Sequence, residues 1–204
     1  MVRYERYVYD HDIITAILDL CEIVHVGFMD KNNAYVVPMN YGYGVTKDKL
    51  LIFVHTGKEG YKLKLIKNNP NVCLSFAAWR NYPDHPYKGH VHDFRSVMAF
   101  GKIHMIELDK EPEYCKTALQ ALFKKTHRSG CKNPKGIKAI NMYVIECNWE
   151  DVSGKTEIPV RRPEDVPFVD VYNVPEDNEP YDDTDLYLTR EDNIKNKNFL
   201  GFID

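Results

Sequence analysis

No apolar run in the 204 residues approaches the ~20 that a bilayer-spanning helix requires. The longest, such as Leu50-Leu51-Ile52-Phe53-Val54, stop at five. A membrane partner is not expected. The opening Met-Val-Arg-Tyr-Glu-Arg-Tyr has no apolar core before a small-residue cleavage site, so cytoplasmic residence is the expectation. Five scattered cysteines include no Cys-x-x-Cys pair, which argues against a zinc or disulfide framework and for a reducing compartment. No metal site is expected. The chain also lacks the G-x-x-x-x-G-K-[ST] phosphate loop and any internal repeat.

What is present is an ordinary globular composition with an uneven charge. Residues 157–204 carry thirteen acids against five bases, a net −8, and leave residues 1–156 at +5. Nucleic acid is not an expected partner. Pro159, Pro163, Pro167, Pro175 and Pro180 punctuate the acidic stretch. Two regions follow: a body over 1–156, and an extended acidic segment over 157–204. The segment's Phe168, Val169, Val171, Tyr172, Leu186, Tyr187, Leu188, Phe199, Leu200 and Phe202 are too many apolar groups for free solvation. It is expected to pack on the body or on a partner subunit.

In the body, Asp10 or Asp12 caps a short helix with Ile13, Ile14, Ile17, Leu18 and Cys21 on one face. Six segments rich in Val, Ile, Phe and Tyr read as strands: 22–30, 34–42, 49–55, 71–80, 94–107 and 139–151. Helices fit 60–68 and 111–126, the second with Pro112 in its first turn. Closely spaced strands with few helices predict a mainly β protein, a mainly antiparallel barrel of six strands with flanking helices, over a doubly wound parallel sheet.

The chemistry concentrates in two places. After the strand ending at Val54, His55-Thr56-Gly57-Lys58-Glu59-Gly60-Tyr61-Lys62 joins a hydroxyl, two glycines and two lysines at a helix start. Helix N–H donors and cations make this a candidate phosphate cradle; the alternative is a surface turn. Before it, Pro38-Met39-Asn40-Tyr41 carries a proline inside a strand pattern, the mark of a barrel edge or a broken ladder whose freed backbone groups can meet a ligand. Tyr41 and Tyr43 also suit a barrel wall. A third stretch, Tyr82–Asp93, reads as a loop with His85, His90 and His92, open to metal or haem ligation, solvation or a dimer contact. Cys131 beside Lys132 is either a thiol of lowered pKa or an idle one.

The stretches 35–43, 51–56, 60–63, Asn68-Asn69-Pro70-Asn71-Val72-Cys73, 94–102 and Ser153-Gly154-Lys155 together resemble the nitroimidazole resistance (nitroreductase-type) family of FMN-binding split barrels, in the pyridoxamine 5′-phosphate oxidase-like superfamily. The resemblance spans roughly residues 10–156. It implies FMN as cofactor, with the Pro38–Met39–Asn40–Tyr41 strand beside the isoalloxazine, and Asn40 reaching its polar edge. By the same resemblance His55, Thr56 and Lys62 hold the phosphate, Ser96 lines the site, and the protein is a homodimer with flavin near the subunit interface. The implied activity is reduction of nitroaromatic or quinone-like acceptors. A flavin oxidase of another small molecule and a non-catalytic flavin- or haem-binding module are the alternatives. No catalytic residue is assigned.

Overall fold

The computed structural model describes residues 6–85, 89–126 and 139–168; of residues 81–85 and 89–92 it describes the backbone alone. Among these, nine strands and three helices run in the order β1 (Tyr7–Val8), α1 (His11–Leu20), β2 (Val24–Asp30), β3 (Asn33–Met39), β4 (Gly42–Val45), β5 (Lys49–Thr56), α2 (Tyr61–Asn68), β6 (Asn71–His85), β7 (Gly89–Ile106), α3 (Pro112–Lys125), β8 (Asn141–Asn148) and β9 (Val152–Thr156). Single 3-10 turns lie at Trp149–Asp151 and Pro163–Asp165. The described residues fall into two compact units, one drawn from within 1–20, 78–96 and 153–204 and the other from within 21–77 and 97–152.

The second unit holds the strand path β3-β2-β6-β7-β8-β5-β4, antiparallel at the β2–β3, β2–β6, β4–β5, β5–β8 and β7–β8 pairs. Its two end strands, β3 and β4, are consecutive in the chain, separated by Asn40 and Tyr41 alone. In a flat sheet seven strands would hold them about 29 Å apart, at ~4.8 Å per neighbour. Three Cα–Cα steps from Met39 to Gly42 reach about 11 Å at most. The sheet therefore curls until its ends lie side by side. No β3–β4 pairing closes it, so the result is a split barrel.

Burial follows from this curl. Met142, Tyr143, Val144 and Ile145 on β8 are all buried, because α3 covers one face while the barrel interior covers the other. Phe53, Ile106, Met142 and Val144 meet Cys115, Ala118, Leu119 and Leu122 of α3. Pro112 opens α3 at its first turn, where its missing N–H costs nothing. Gly42 on β4 lets the helix approach closely: a Cβ there would stand 2.4 Å from the carbonyl carbon of Ala121. Burial pushes the Cys147 thiol up to about 12 and the Cys21 thiol up to about 11, so both stay protonated and unreactive near neutrality.

The first unit pairs β1 with β9, Tyr7↔Lys155 and Val8↔Gly154. The start of β7 flanks β9, with the Glu157 amide donating to the Phe94 carbonyl (3.1 Å) and the Ser96 hydroxyl to the Lys155 carbonyl (3.2 Å). Asp10 caps α1 as expected, its Oδ1 accepting from the amides of Asp12 (2.9 Å) and Ile13 (3.0 Å). Arg95 and Asp93 form a buried ion pair. Arg95 also donates from Nε to the Val166 carbonyl (3.0 Å), and its guanidinium lies 5.4 Å from the Phe168 ring centroid. With the Arg6–Glu157 ion pair, these contacts hold the start of the C-terminal segment.

The expected strand 34–42 is divided, and the expected strand 139–151 is β8 followed by a 3-10 turn. Asn40–Tyr41 breaks the first, and the 3-10 turn at Trp149–Asp151 separates β8 from β9. β1 was not anticipated. The stretch read as a loop over 82–93 has strand backbone at 82–85 and 89–93, so β6 and β7 are longer than expected. The side chains of His85, His90 and His92, together with Cys131 and residues 169–204, lie outside the described residues.

Candidate functional site

β5 delivers Thr56 into the turn 57–60, and α2 leaves it at Tyr61. His55 is exposed on β5; Thr56 next to it is buried, its hydroxyl donating to the Gly57 carbonyl (2.8 Å). The register Thr56↔Asn141 brings β8 beside the turn. There Asn141 accepts from Lys58 Nζ at its Oδ1 (2.9 Å) and donates from Nδ2 to the Gly57 carbonyl (3.3 Å). Asn141 thus clamps the turn from across the sheet.

Gly60 is the N-cap of α2, with φ 140°, a conformation that L side chains rarely adopt. A Cβ at Gly60 would meet nothing within 4 Å, so the turn faces open space. No side chain caps α2, and its first turn holds no acid. The Leu63 amide bonds the Gly60 carbonyl (3.2 Å). Lys62 stands half-buried in that first turn. An uncapped helix start flanked by cations is poorly matched to solvent alone and well matched to a dianion. The residues present therefore fit a phosphate-bearing cofactor. A cavity of about 350 Å³ adjoins the turn, lined by Lys58, Asn141, Met105, Glu107, Asp109 and Met142 among others.

Pro38 and Met39 end β3, an edge strand of the path, with Pro38 exposed and facing His25 of β2 in register. The proline thus marks both an edge and, two residues on, a break. Asn40 is exposed in the link. Tyr41 is fully buried: its hydroxyl donates to the Cys21 carbonyl (3.0 Å), and its ring meets Phe76 edge-on at 4.9 Å. That side chain builds the wall, and its backbone is what remains to face a ligand. Ser96 belongs to the first unit. The turn therefore gathers His55, Thr56 and Lys62 by chain proximity, and Pro38–Tyr41 form the seam of the same unit.

Three participants were missed. Asn141 carries no local signal, since only the β5–β8 register brings it to Gly57. Tyr35 and Tyr61 pack edge to face, 5.5 Å between centroids. A hydrogen bond to Asp30 holds the Tyr61 phenol above its ordinary pKa.

A family model described as pyridoxamine 5′-phosphate oxidase matches residues 10–156. Similar solved structures include a candidate 5-nitroimidazole antibiotic resistance protein from Bacteroides thetaiotaomicron, 25% identical, covering 74% of this chain and 86% of that one with a TM-score of 0.61. An FAD- and haem-binding protein from Mycobacterium smegmatis is 17% identical, with 79% and 78% coverage and a TM-score of 0.56. The flavocytochrome Anf3 from Azotobacter vinelandii is 21% identical, with 96% and 94% coverage and a TM-score of 0.55. The last two speak to the fold alone. Comparison with curated proteins found no match.

Proposed function

The chain belongs to the pyridoxamine 5′-phosphate oxidase family, and from that membership we propose a flavin-dependent oxidoreductase that holds FMN by its phosphate at the turn 55–62 and reduces nitroaromatic or quinone-like acceptors. The observation that carries the reading is the α2 start, uncapped by any side chain, with no acid in its first turn and with Lys58 and Lys62 on either side of Gly60. Bound flavin supplies the electron or hydride transfer. Lys62 and the first amides of α2 take the phosphate charge. Asn141 keeps the turn in shape. The seam Pro38–Tyr41 sets the ring beside exposed backbone and Asn40. His55, exposed at the end of β5, assists proton delivery at most. Nitroaromatics are favoured by the likeness to the Bacteroides protein named for nitroimidazole resistance.

The exposed Met98 and Phe100 of β7 support pairing with a second copy of the chain, so we expect a homodimer. No helix among the described residues is long and apolar enough to cross a membrane, and cytoplasmic residence is part of the proposal.

Purified protein should bind FMN with one flavin per chain, and should sediment as a dimer. Charge-assisted contacts to phosphate are worth about 1.5–3 kcal/mol each. Lys62→Ala should therefore weaken FMN at least about tenfold and riboflavin, which lacks the phosphate, much less. Equal losses for both ligands would place Lys62 away from the phosphate. Stopped-flow mixing of the pre-reduced holoprotein with a nitroimidazole and with a quinone tests the reaction. Each acceptor should reoxidise bound flavin faster than free FMN. Neither doing so would leave a flavin- or haem-binding module in place of an enzyme.

A further inference from the structure

The last turn of α3 lies against the seam. The backbone of Ala121 and Leu122 is what a Cβ at Gly42 would strike, and Lys125 follows these two residues at spacings of four and three, one turn further along the same helix face. That face carries Lys125 toward the link that precedes Gly42. Its Nζ stands 5.5 Å from the centroid of the Tyr41 ring, within cation–π reach. Tyr41 is fully buried and Lys125 half-buried, whereas Lys124, its neighbour in the same turn, is exposed. Either lysine complements the C-terminal end of the helix. The dipole alone therefore does not account for sinking one of the two ammonium groups beside the seam, where it gives up part of its hydration.

A cation in that place acts on charge that develops in a ligand at the seam. When a flavin takes up two electrons and one proton, its pyrimidine ring is left with a negative charge, and a positive side chain close by favours that form over the neutral oxidised one. We propose that Lys125 is the cation that stabilises reduced flavin, set by α3 beside the seam Pro38–Tyr41. The inference rests on the flavin reading above, which places the ring at that seam, and adds to it a residue that governs the potential of the bound flavin. Lys62 and the start of α2 hold the phosphate; Lys125, from a different helix, acts on the ring.

Midpoint potentials of the FMN-loaded full chain, obtained by dithionite titration against reference dyes, test this. Lys125→Met keeps an apolar stem and removes the charge. It should weaken the binding of reduced flavin relative to oxidised flavin about tenfold, a fall of about 30 mV for a two-electron couple, with oxidised FMN held nearly as tightly as by the parent. Lys125→Gln, which keeps a polar end, should fall alike. Lys125→Arg should retain most of the parent's potential, and Lys124→Met all of it. A parent potential preserved in both uncharged variants would overturn the role of Lys125 and leave the flavin site standing. So would an equal fall in Lys124→Met, which would make the effect one of net charge and not of place. Failure of the parent protein to bind FMN would overturn the flavin site and this inference together.

Discussion

Gly42→Ala is expected to destabilise the protein by about 3 kcal/mol, the upper part of the usual range for overpacking. The added methyl would stand 2.4 Å from both the Ala121 carbonyl carbon and the Leu122 nitrogen, and 2.7 Å from the Ala121 oxygen. These are helix backbone atoms, which cannot rotate aside as a side chain does. Relief requires α3 to lift from β4, and lifting it opens the contacts of Leu119 and Leu122 with Phe53 and Val144. Gly44→Ala is the control on the same strand. There a Cβ would meet only the Phe53 ring, at 3.5 Å, an ordinary contact. Urea midpoints at constant m-value give the comparison. Similar midpoints for the two variants would show that α3 does not press on β4 as described.

Arg95→Ala should cost about 3–5 kcal/mol, because it strands a buried carboxylate. Asp93 is fully buried, and one of its oxygens already lacks a hydrogen-bond partner among the described residues. Arg95 is its counter-ion and also holds the Val166 carbonyl. Asp93→Ala should cost less, since Arg95 would keep its bonds to Val166 and Phe94. Replacing both, as Arg95→Met with Asp93→Leu, should recover most of the single-variant loss, because the desolvation of two charges disappears together. Chemical denaturation of the three variants decides this. Limited proteolysis should show faster cleavage within 157–168 in Arg95→Ala than in the parent. A double variant as unstable as the sum of its parts would mean that the pair is not coupled.

The helices were legible because each has a local signal: Asp10 as cap, Pro112 at a first turn, apolar residues at helical spacing. The long strands were legible by their Val, Ile and Phe content. Pro38 signalled an edge or a break, but the restart at Gly42 with a new partner was not legible, because Gly42-Tyr43-Gly44-Val45 continues the texture of β3 while pairing with β5. β1 has two residues and β9 five, too few to show alternation. In the site, the turn 55–62 was readable because its groups are neighbours in the chain. The Tyr35–Tyr61 contact was not, since it depends on the hairpin register that sets Tyr35 opposite Phe28. Arg95 did carry a signal that went unused: Asp93 and Arg95 alternate on one strand, and so share a face.

The two-residue link at Asn40–Tyr41 also governs how the chain matures as it leaves the ribosome. The hairpins β2–β3 and β4–β5 are local and need nothing synthesised after Thr56. Tied by so short a leash, neither can diffuse away from the other, and each holds the other at high effective concentration. The strand that belongs between β5 and β7 is β8, whose rungs run from Lys49↔Asn148 to Thr56↔Asn141 and from Lys102↔Glu146 to Ile106↔Met142. It begins 85 residues after the end of β5. Throughout that interval the nascent chain carries one finished seam and two unsatisfied edges, the condition in which strand exchange between neighbouring chains is most dangerous. The tether thus preserves the order of the strands during synthesis, at the cost of a long wait for the one that completes them.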